Sequence, residues 1–284
     1  MKKITGFIRI VRPINCLMMG FAVVVGAVIS TGGNIIGGNM LNLVFGFITA
    51  LTLTGASMAI NDYYDREIDA VNEPDRPIPS GLVNPSESIT ISAILTIIGL
   101  TSAALTSPLC LLLALISWII SVSYSKAGKR TGLPGNLMVS TCVSIPFVYG
   151  GVCARGLIEP NIAIFAALAF LANTGREIIK GIADIEGDKL RGIRTLAISY
   201  GPGKAAKTAL IFFILAVALS PLPLTLKLVH AWFIPPLIIA DLGFITSAIN
   251  IAKNATRENA KKIKKVILTW MLISMIAFLI GTIK

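Results

Sequence analysis

The chain has 284 residues, 55% of them hydrophobic and only 14% charged, with a mean hydropathy of +0.81. An ordinary soluble domain carries about a quarter charged residues, so that class is excluded, as are disordered and fibrous chains. A net charge of +11 in so apolar a chain points to loops on the inner membrane face and to anionic head groups, not to nucleic acid.

The N-terminus pairs a basic start with an apolar run, as a signal peptide does. Residues 14–31 are longer than a typical signal core and eight further spans follow, so the segment reads as the first retained helix. No charge occurs between Arg12 and Asp62. That stretch is too long for one span and breaks at Gly32-Gly33-Asn34 and Gly37-Gly38-Asn39, which predicts helices over 14–31 and 41–61. A second charge-free stretch, from Glu87 to Lys126, breaks at Thr106-Ser107-Pro108 and predicts helices over 88–106 and 108–124. The remaining spans are 135–154, 160–180, 206–221, 230–251 and 265–283, the seventh shortened by Pro221 and Pro223. Each is close to the length that crosses ~30 Å of hydrocarbon. The expected architecture is all-α: a polytopic membrane protein with nine transmembrane helices in a single domain, 1–284.

With nine spans, 22 of the 25 basic residues fall on the side of the N-terminus; only Arg155, Lys227 and Lys284 lie opposite. This asymmetry predicts a cytoplasmic N-terminus in a multi-pass protein of the cell membrane. The cysteines at 16, 110, 142 and 153 lie in apolar stretches without a CxxC pair and read as packing residues. His230 reads as a lone surface residue, Asp241 as a polar contact between helices, and the basic run from Lys261 to Lys265 as a head-group contact.

Twelve of the 14 acids fall on the same, cytoplasmic side, all but Glu159 and Asp241. Acids crowded there repel one another and the anionic lipid surface, so a cationic partner is required. If the second span continues to Asp69, then Asn61, Asp62, Asp65 and Asp69 share one helical face. Asp184 and Asp188 form a second pair at spacing i, i+4 near the end of the sixth span. Two faces of hard oxygen donors that leave open positions for phosphate oxygens suit Mg²⁺. Basic residues border the same mouth: Arg12 with Asn15, then Tyr124-Ser125-Lys126 with Arg130, then Lys180 and Lys189. Arginine forks and lysine point charges both bind phosphate.

The string Asn61-Asp62-x-x-Asp65-x-x-x-Asp69, followed by Arg76-Pro77-Ile78-Pro79-Ser80-Gly81, resembles the first aspartate motif of the UbiA-type intramembrane prenyltransferases. Asp184-x-x-x-Asp188 resembles their second motif, and Tyr124-x-Lys126 a stretch between the two. Many members carry a further acid three residues before Asp184, where this chain has Gly181. Within the family, the short chain, the lysine-rich loops and Gly175-Arg176-Glu177-Ile178-Ile179-Lys180 look most like archaeal lipid-forming members. That likeness implies transfer of a geranylgeranyl group from its diphosphate to the free hydroxyl of geranylgeranylglyceryl phosphate, making the second ether bond of an archaeal membrane lipid.

The resemblance implies two Mg²⁺ ions held by Asn61, Asp62, Asp65, Asp69, Asp184 and Asp188. Asp65, Asp69, Asp188 and Lys126 then carry the catalytic roles. Arg66, Tyr124, Lys126, Arg130, Lys180 and Lys189 bind substrate, with Arg12 and Asn15 at the acceptor or diphosphate end. Tyr63, Tyr64, Tyr124, Phe147 and Tyr149 are candidates to face the developing allylic cation. The partners are a prenyl diphosphate donor, a lipid-like phosphate-bearing acceptor and membrane lipids. Prenylation of an aromatic acceptor and cation-coupled transport are the alternatives.

Overall fold

The computed structural model describes residues 2–34, 40–190 and 192–283. The Gly37-Gly38-Asn39 break, Arg191 and Lys284 lie outside them. Among the described residues the chain is helical without strands, and nine helices are long and apolar enough to cross a membrane. The spanning helices are α2 (Pro13–Ser30), α3 (Met40–Asn72), α4 (Pro85–Thr106), α5 (Pro108–Lys126), α6 (Leu133–Arg155), α7 (Ile162–Ala183), α10 (Pro202–Leu219), α12 (Ile234–Lys253) and α13 (Arg257–Thr282). Shorter helices are α1 (Lys2–Val11), α8 (Ile185–Leu190), α9 (Leu196–Tyr200) and α11 (Leu222–Thr225). A single 3₁₀ turn, Gly128–Thr131, joins α5 to α6.

Helix boundaries follow local chemistry. Proline opens α2, α4, α5 and α10, where its missing N–H costs nothing. Ser107 ends α4 and caps α5, its Oγ accepting from the Cys110 N–H at 3.1 Å. The Gly32-Gly33 break is a turn with both glycines at positive φ. The seventh span, expected over 206–221, starts earlier, at Pro202. The backbone turns at Ser220-Pro221 and makes one more helical turn, α11, before leaving the bundle.

Two features differ from the sequence expectation. Residues 2–11 form a separate amphipathic helix, α1. Its Ile10 is buried, Ile4 and Ile8 are exposed, and Lys3 pairs with Glu87 at 2.6 Å. The elbow between α1 and α2 is Arg12, whose backbone is left-handed (φ 52°, ψ 72°). The second is α3, which is 33 residues long. At 1.5 Å per residue it measures roughly 50 Å, about 20 Å more than the hydrocarbon needs. The first ~20 residues cross, and the last three turns, with Asp62, Asp65 and Asp69, stand at the membrane mouth.

The bundle is held by close helix approaches. Gly26 on α2 and Gly150 on α6 let those helices touch backbone to backbone: a Cβ at either position overlaps the carbonyl of Phe147 or Val23. Ser88 and Ser92 of α4 donate to the carbonyls of Ala59 and Ala56 on α3, at 2.7 and 3.0 Å. Small residues and interhelical hydroxyl bonds are the means of association available inside lipid. Phe147, Phe165 and Phe233 gather on Phe278 of α13. Ser220 donates to Asp241 at 2.6 Å, the expected polar contact between helices. Outward faces expose isoleucine and leucine along α4, α5, α10 and α12, as lipid-facing helices do.

Candidate functional site

The end of α3 places Asp62, Asp65 and Asp69 on one buried face, each side chain less than a tenth exposed. Asn61 lies on the same face and donates to Asp65 Oδ2 at 2.9 Å. Opposite them, α7 ends at Ala183, Asp184 follows it, and Asp188 lies in α8. Asn72, the last residue of α3, joins the two segments. Its Nδ2 donates to the Asp184 carbonyl at 3.0 Å, and its Oδ1 accepts from the Gly187 N–H at 3.1 Å. A Cβ at Gly187 would collide with the Asn72 amide, so glycine there permits the approach.

The carboxylates are matched by cations. Arg12 donates to Asp62. Arg76 lies between two motif acids, 2.6 Å from Asp69 and 3.4 Å from Asp62. Lys129 bridges the two motifs, with its Nζ 2.9 Å from Asp65 Oδ2 and 3.7 Å from Asp188 Oδ1. Segments remote in the chain therefore meet through one ammonium group. Burial pushes the Asp188 carboxyl up to about 6, against the opposing pull of Lys129. Asp184 is also buried, but Lys264 and Lys180 outweigh that and hold it below the usual carboxylate range. Burial disfavours charge on Lys129 and Arg76, yet the aspartates keep both above their ordinary values.

Arg12, Asn61 and Arg76, the hydrogen-bond partners of Asp62, Asp65 and Asp69, line a cavity of about 440 Å³ that runs down into the bundle. Its mouth is lined by Arg12, Asn15, Asn61, Arg76, Tyr124 and Lys180, and its deeper walls by apolar residues including Val23, Leu53, Trp118, Val143 and Pro146. A polar head over an apolar shaft suits an amphiphile. A smaller chamber shares the walls Met18, Met19, Val143 and Met271 with it and is lined in part by Phe147.

Not every expected residue joins the site. Lys126, Arg130 and Lys189 are exposed. From the α5–α6 connection the cation that reaches the aspartates is Lys129, because α5 stops at Lys126 and the 3₁₀ turn carries the chain inward. Arg66 turns away, donating to the Tyr63 carbonyl at 2.9 Å, stacking over the Tyr63 ring and pairing with Glu67. Tyr63 and Tyr64 pack edge to face, while Tyr124 and Tyr149 line the cavity. Lys261 and Lys264, expected at head groups, instead point into the site, toward the Asn72 carbonyl and toward Glu73 and Asp184.

Glu177, Arg176 and Lys264 also line the cavity and were absent from the expected site. Glu177 is buried and accepts from Arg176 at 2.8 Å and from Lys180 at 3.2 Å. It stands one turn before Gly181. Its signal in the sequence is a charged triplet, Arg176, Glu177 and Lys180, inside an otherwise apolar span, where charge is costly and tends to be functional.

The UbiA prenyltransferase family profile matches residues 19–276. The chain belongs to the UbiA prenyltransferase family. As a UbiA member it is an intramembrane prenyltransferase, and the transport alternative gives way. A digeranylgeranylglyceryl phosphate synthase of Methanosarcina mazei is 36% identical over 285 residues, covering 97% of each chain. A solved structure concerned with digeranylgeranylglyceryl phosphate synthase in membranes superposes with a TM-score of 0.76 at 32% identity, over 100% of this chain and 99% of that one. A UbiA homologue from Archaeoglobus fulgidus bound to GPP and Mg2+ shares the fold, with a TM-score of 0.60 at 17% identity over 96% of this chain and 99% of that one.

Proposed function

We propose that this enzyme transfers a geranylgeranyl group from its diphosphate to the hydroxyl of geranylgeranylglyceryl phosphate, forming the second ether bond of an archaeal lipid, with its active mouth facing the cytoplasm. The reading rests above all on the convergence of Asp65 and Asp188 on Lys129, beside an apolar shaft lined by Asn61, the hydrogen-bond partner of Asp65. The full-length relatives that bear the synthase name support the choice of acceptor.

The donor set fits magnesium. Asp184 Oδ1 and Asp188 Oδ1 are buried without a hydrogen bond, their facing ammonium groups standing off at 3.6 and 3.7 Å, which leaves lone pairs for a closer cation. Among the described residues no three acids already converge on one point; Arg76 and Lys129 stand between them. Asn61, Asp62, Asp65 and Asp69 would hold one Mg²⁺, and Asp184 with Asp188 a second. When bound, the ions supply Lewis-acid neutralisation of the departing diphosphate. The A. fulgidus relative's GPP and Mg2+ complex supports that choice of ion.

The chain's own residues do the rest. Arg12, Arg76 and Lys129 bring donors to the mouth, where they face diphosphate oxygens. The apolar shaft takes the prenyl chain and keeps water from the allylic carbon as its bond to oxygen breaks. Tyr124 and Tyr149 offer ring faces to the positive charge that develops there. The acceptor oxygen attacks that carbon, and its proton leaves to a carboxylate or to the released diphosphate.

The test is direct. Purified protein in lipid nanodiscs receives Mg²⁺, geranylgeranyl diphosphate and geranylgeranylglyceryl phosphate, and products are identified by mass. The doubly prenylated glyceryl phosphate and free diphosphate are expected, and EDTA abolishes both. Prenylation of an aromatic acceptor alone, or EDTA-resistant turnover, overturns the reading.

A further inference from the structure

The space beneath the aspartate mouth divides in two. The main shaft descends along α3 and α5, past Ala50, Leu53 and Ala114. The smaller chamber lies instead against α7, α10, α12 and α13, with Ala169, Ala172, Ala216, Phe244 and Met275 in its walls. Among the described residues, none from α3 or α5 lines that chamber and none from α10 or α12 lines the shaft. Helix α6 turns a different face to each, Pro146 and Tyr149 to the shaft and Phe147 to the chamber. The backbone-to-backbone seam of α2 and α6, at Gly26 and Gly150, separates them. The two spaces adjoin at Met18, Met19, Val143 and Met271, which line both.

One face of α13 leads from the mouth into the chamber. Lys264, Leu268 and Met271 line the upper space, and Met271, Met275 and Phe278 the lower, in the i, i+3, i+4 rhythm of a single helical face. From Lys264 to Phe278 this face is roughly 21 Å long, most of the ~30 Å of hydrocarbon, so the branch suits a long tail rather than a head group. The chamber's hydroxyls are already taken. Ser220 donates to Asp241 at 2.6 Å and Ser274 to the Trp270 carbonyl at 3.0 Å, which leaves a lining suited to hydrocarbon. The chamber measures about 40 Å³ against the shaft's 440 Å³. Three of the four shared walls are methionines, whose unbranched side chains turn aside readily, so a chain enters by displacing them.

Forming an ether between two amphiphiles requires both tails to be housed while the two heads meet at the mouth. Arg12 and Arg76, which meet the first motif, line the mouth above the shaft, and this assigns the shaft to the donor. We propose that the second chamber holds the tail of the prenylated glyceryl phosphate acceptor, so that donor and acceptor tails leave the mouth along separate branches on either side of the α2–α6 seam. The inference rests on the acceptor reading above and adds where the acceptor lies. With its tail between α7 and α13, the acceptor's glyceryl hydroxyl reaches the mouth from the side opposite the donor.

Ala169→Leu and Ala216→Leu each fill the chamber from a wall the shaft does not share. They are assayed in nanodiscs with Mg²⁺, using geranylgeranylglyceryl phosphate and its shorter analogue geranylglyceryl phosphate as acceptors, and geranylgeranyl and geranyl diphosphates as donors. KM for the long acceptor rises about tenfold relative to the short one, the value of one or two methylenes denied burial, while the preference between donors keeps its wild-type ratio. Ala114→Leu, which fills the shaft alone, shifts the donor preference instead. A second measurement needs no variant: wild type is photolabelled with an acceptor carrying a diazirine on its last isoprene unit, and adducts are mapped by mass. Adducts on α10 or α12 are expected; adducts on α3 or α5 overturn the assignment. A changed donor preference in Ala169→Leu or Ala216→Leu puts the donor tail in the chamber and overturns it too, as do unchanged kinetics or equal losses with both acceptors. If the wild type prenylates neither glyceryl phosphate, the acceptor reading fails and the assignment falls with it. If it prenylates them while the label lands on α3 or α5, only the assignment fails.

Discussion

Lys129→Met removes the ammonium group that, among the described residues, contacts both aspartate motifs. The Asp65 and Asp188 side chains it neutralises are 8% and 2% exposed, and Lys129 itself 14%. Removing one partner of a buried ion pair costs about 3–5 kcal/mol, because the remaining charge is stranded. Asp65 keeps its bond from Asn61, which brings the expected cost toward the lower end, about 3 kcal/mol. A chain of this size shifts its melting temperature by about 2–4 °C per kcal/mol. In EDTA the variant therefore melts about 6–12 °C below wild type at a common scan rate. The same vacancy removes a competitor for the carboxylates, so Mg²⁺ binds up to about a hundredfold tighter, at about 1.4 kcal/mol per tenfold. Turnover falls nonetheless, because a donor to the diphosphate is gone. Thermal melts with increasing Mg²⁺, paired with calorimetric titration of the metal, read both effects. Unchanged melting in EDTA, or weaker Mg²⁺ binding by the variant, refutes the bridge as the element that holds the two motifs together without metal.

Asp65→Ala and Asp188→Ala each lower kcat by about 10²–10³ or more, the scale of losing one electrostatic stabiliser, in steady-state assays of correctly inserted protein; near-normal turnover in either removes that residue from the metal set. Asp188 titrates at about 6 rather than 3.8 because its fold disfavours the charged form. Native protein then binds more protons than unfolded protein between those values. The contribution of Asp188 to metal-free stability is therefore greatest below about pH 4 and is lost as pH rises through 6, read as the difference between wild type and Asp188→Asn, while Mg²⁺ affinity climbs through the same interval. Melts and metal titrations from pH 4 to 8 check both slopes. Gly150→Ala drives a methyl group into the Val23 carbonyl and costs about 1–3 kcal/mol through overpacking, measured as a lower melting temperature. Asn34→Ala, in the turn after α2, leaves melting unchanged.

The spans were legible because charge is absent from them. The runs Arg12–Asp62 and Glu87–Lys126, with their Gly-Gly and Ser-Pro breaks, give the boundaries of α2, α4 and α5 and the start of α3 to within a few residues, while α3 continues past the expected 61 to Asn72. The aspartate faces were legible from i, i+4 spacing alone. Helix α1 escaped because ten residues cannot span and α1 adjoins α2 with only Arg12 between them. Lys129 escaped because spacing measured from Tyr124 assumes a helix that stops at Lys126, and only the 3₁₀ turn decides which lysine faces inward. Lys261 and Lys264 escaped for a related reason. A basic run beside a membrane reads as a lipid contact until the neighbouring helix end, here Asn72 and Glu73 of the α3 terminus and its continuation, supplies acceptors.

The elbow at Arg12 makes opposite demands on one residue. Its left-handed backbone suits glycine or asparagine, whereas Asp62 requires a guanidinium. Arg12→Gly relaxes the main chain and abolishes the charge; Arg12→Lys retains charge and strain together but loses the fork. Posture and polarity at the entrance to the shaft are thus coupled in a single residue, so the turn that joins the surface helix to the first span also delivers the cation that meets the first aspartate.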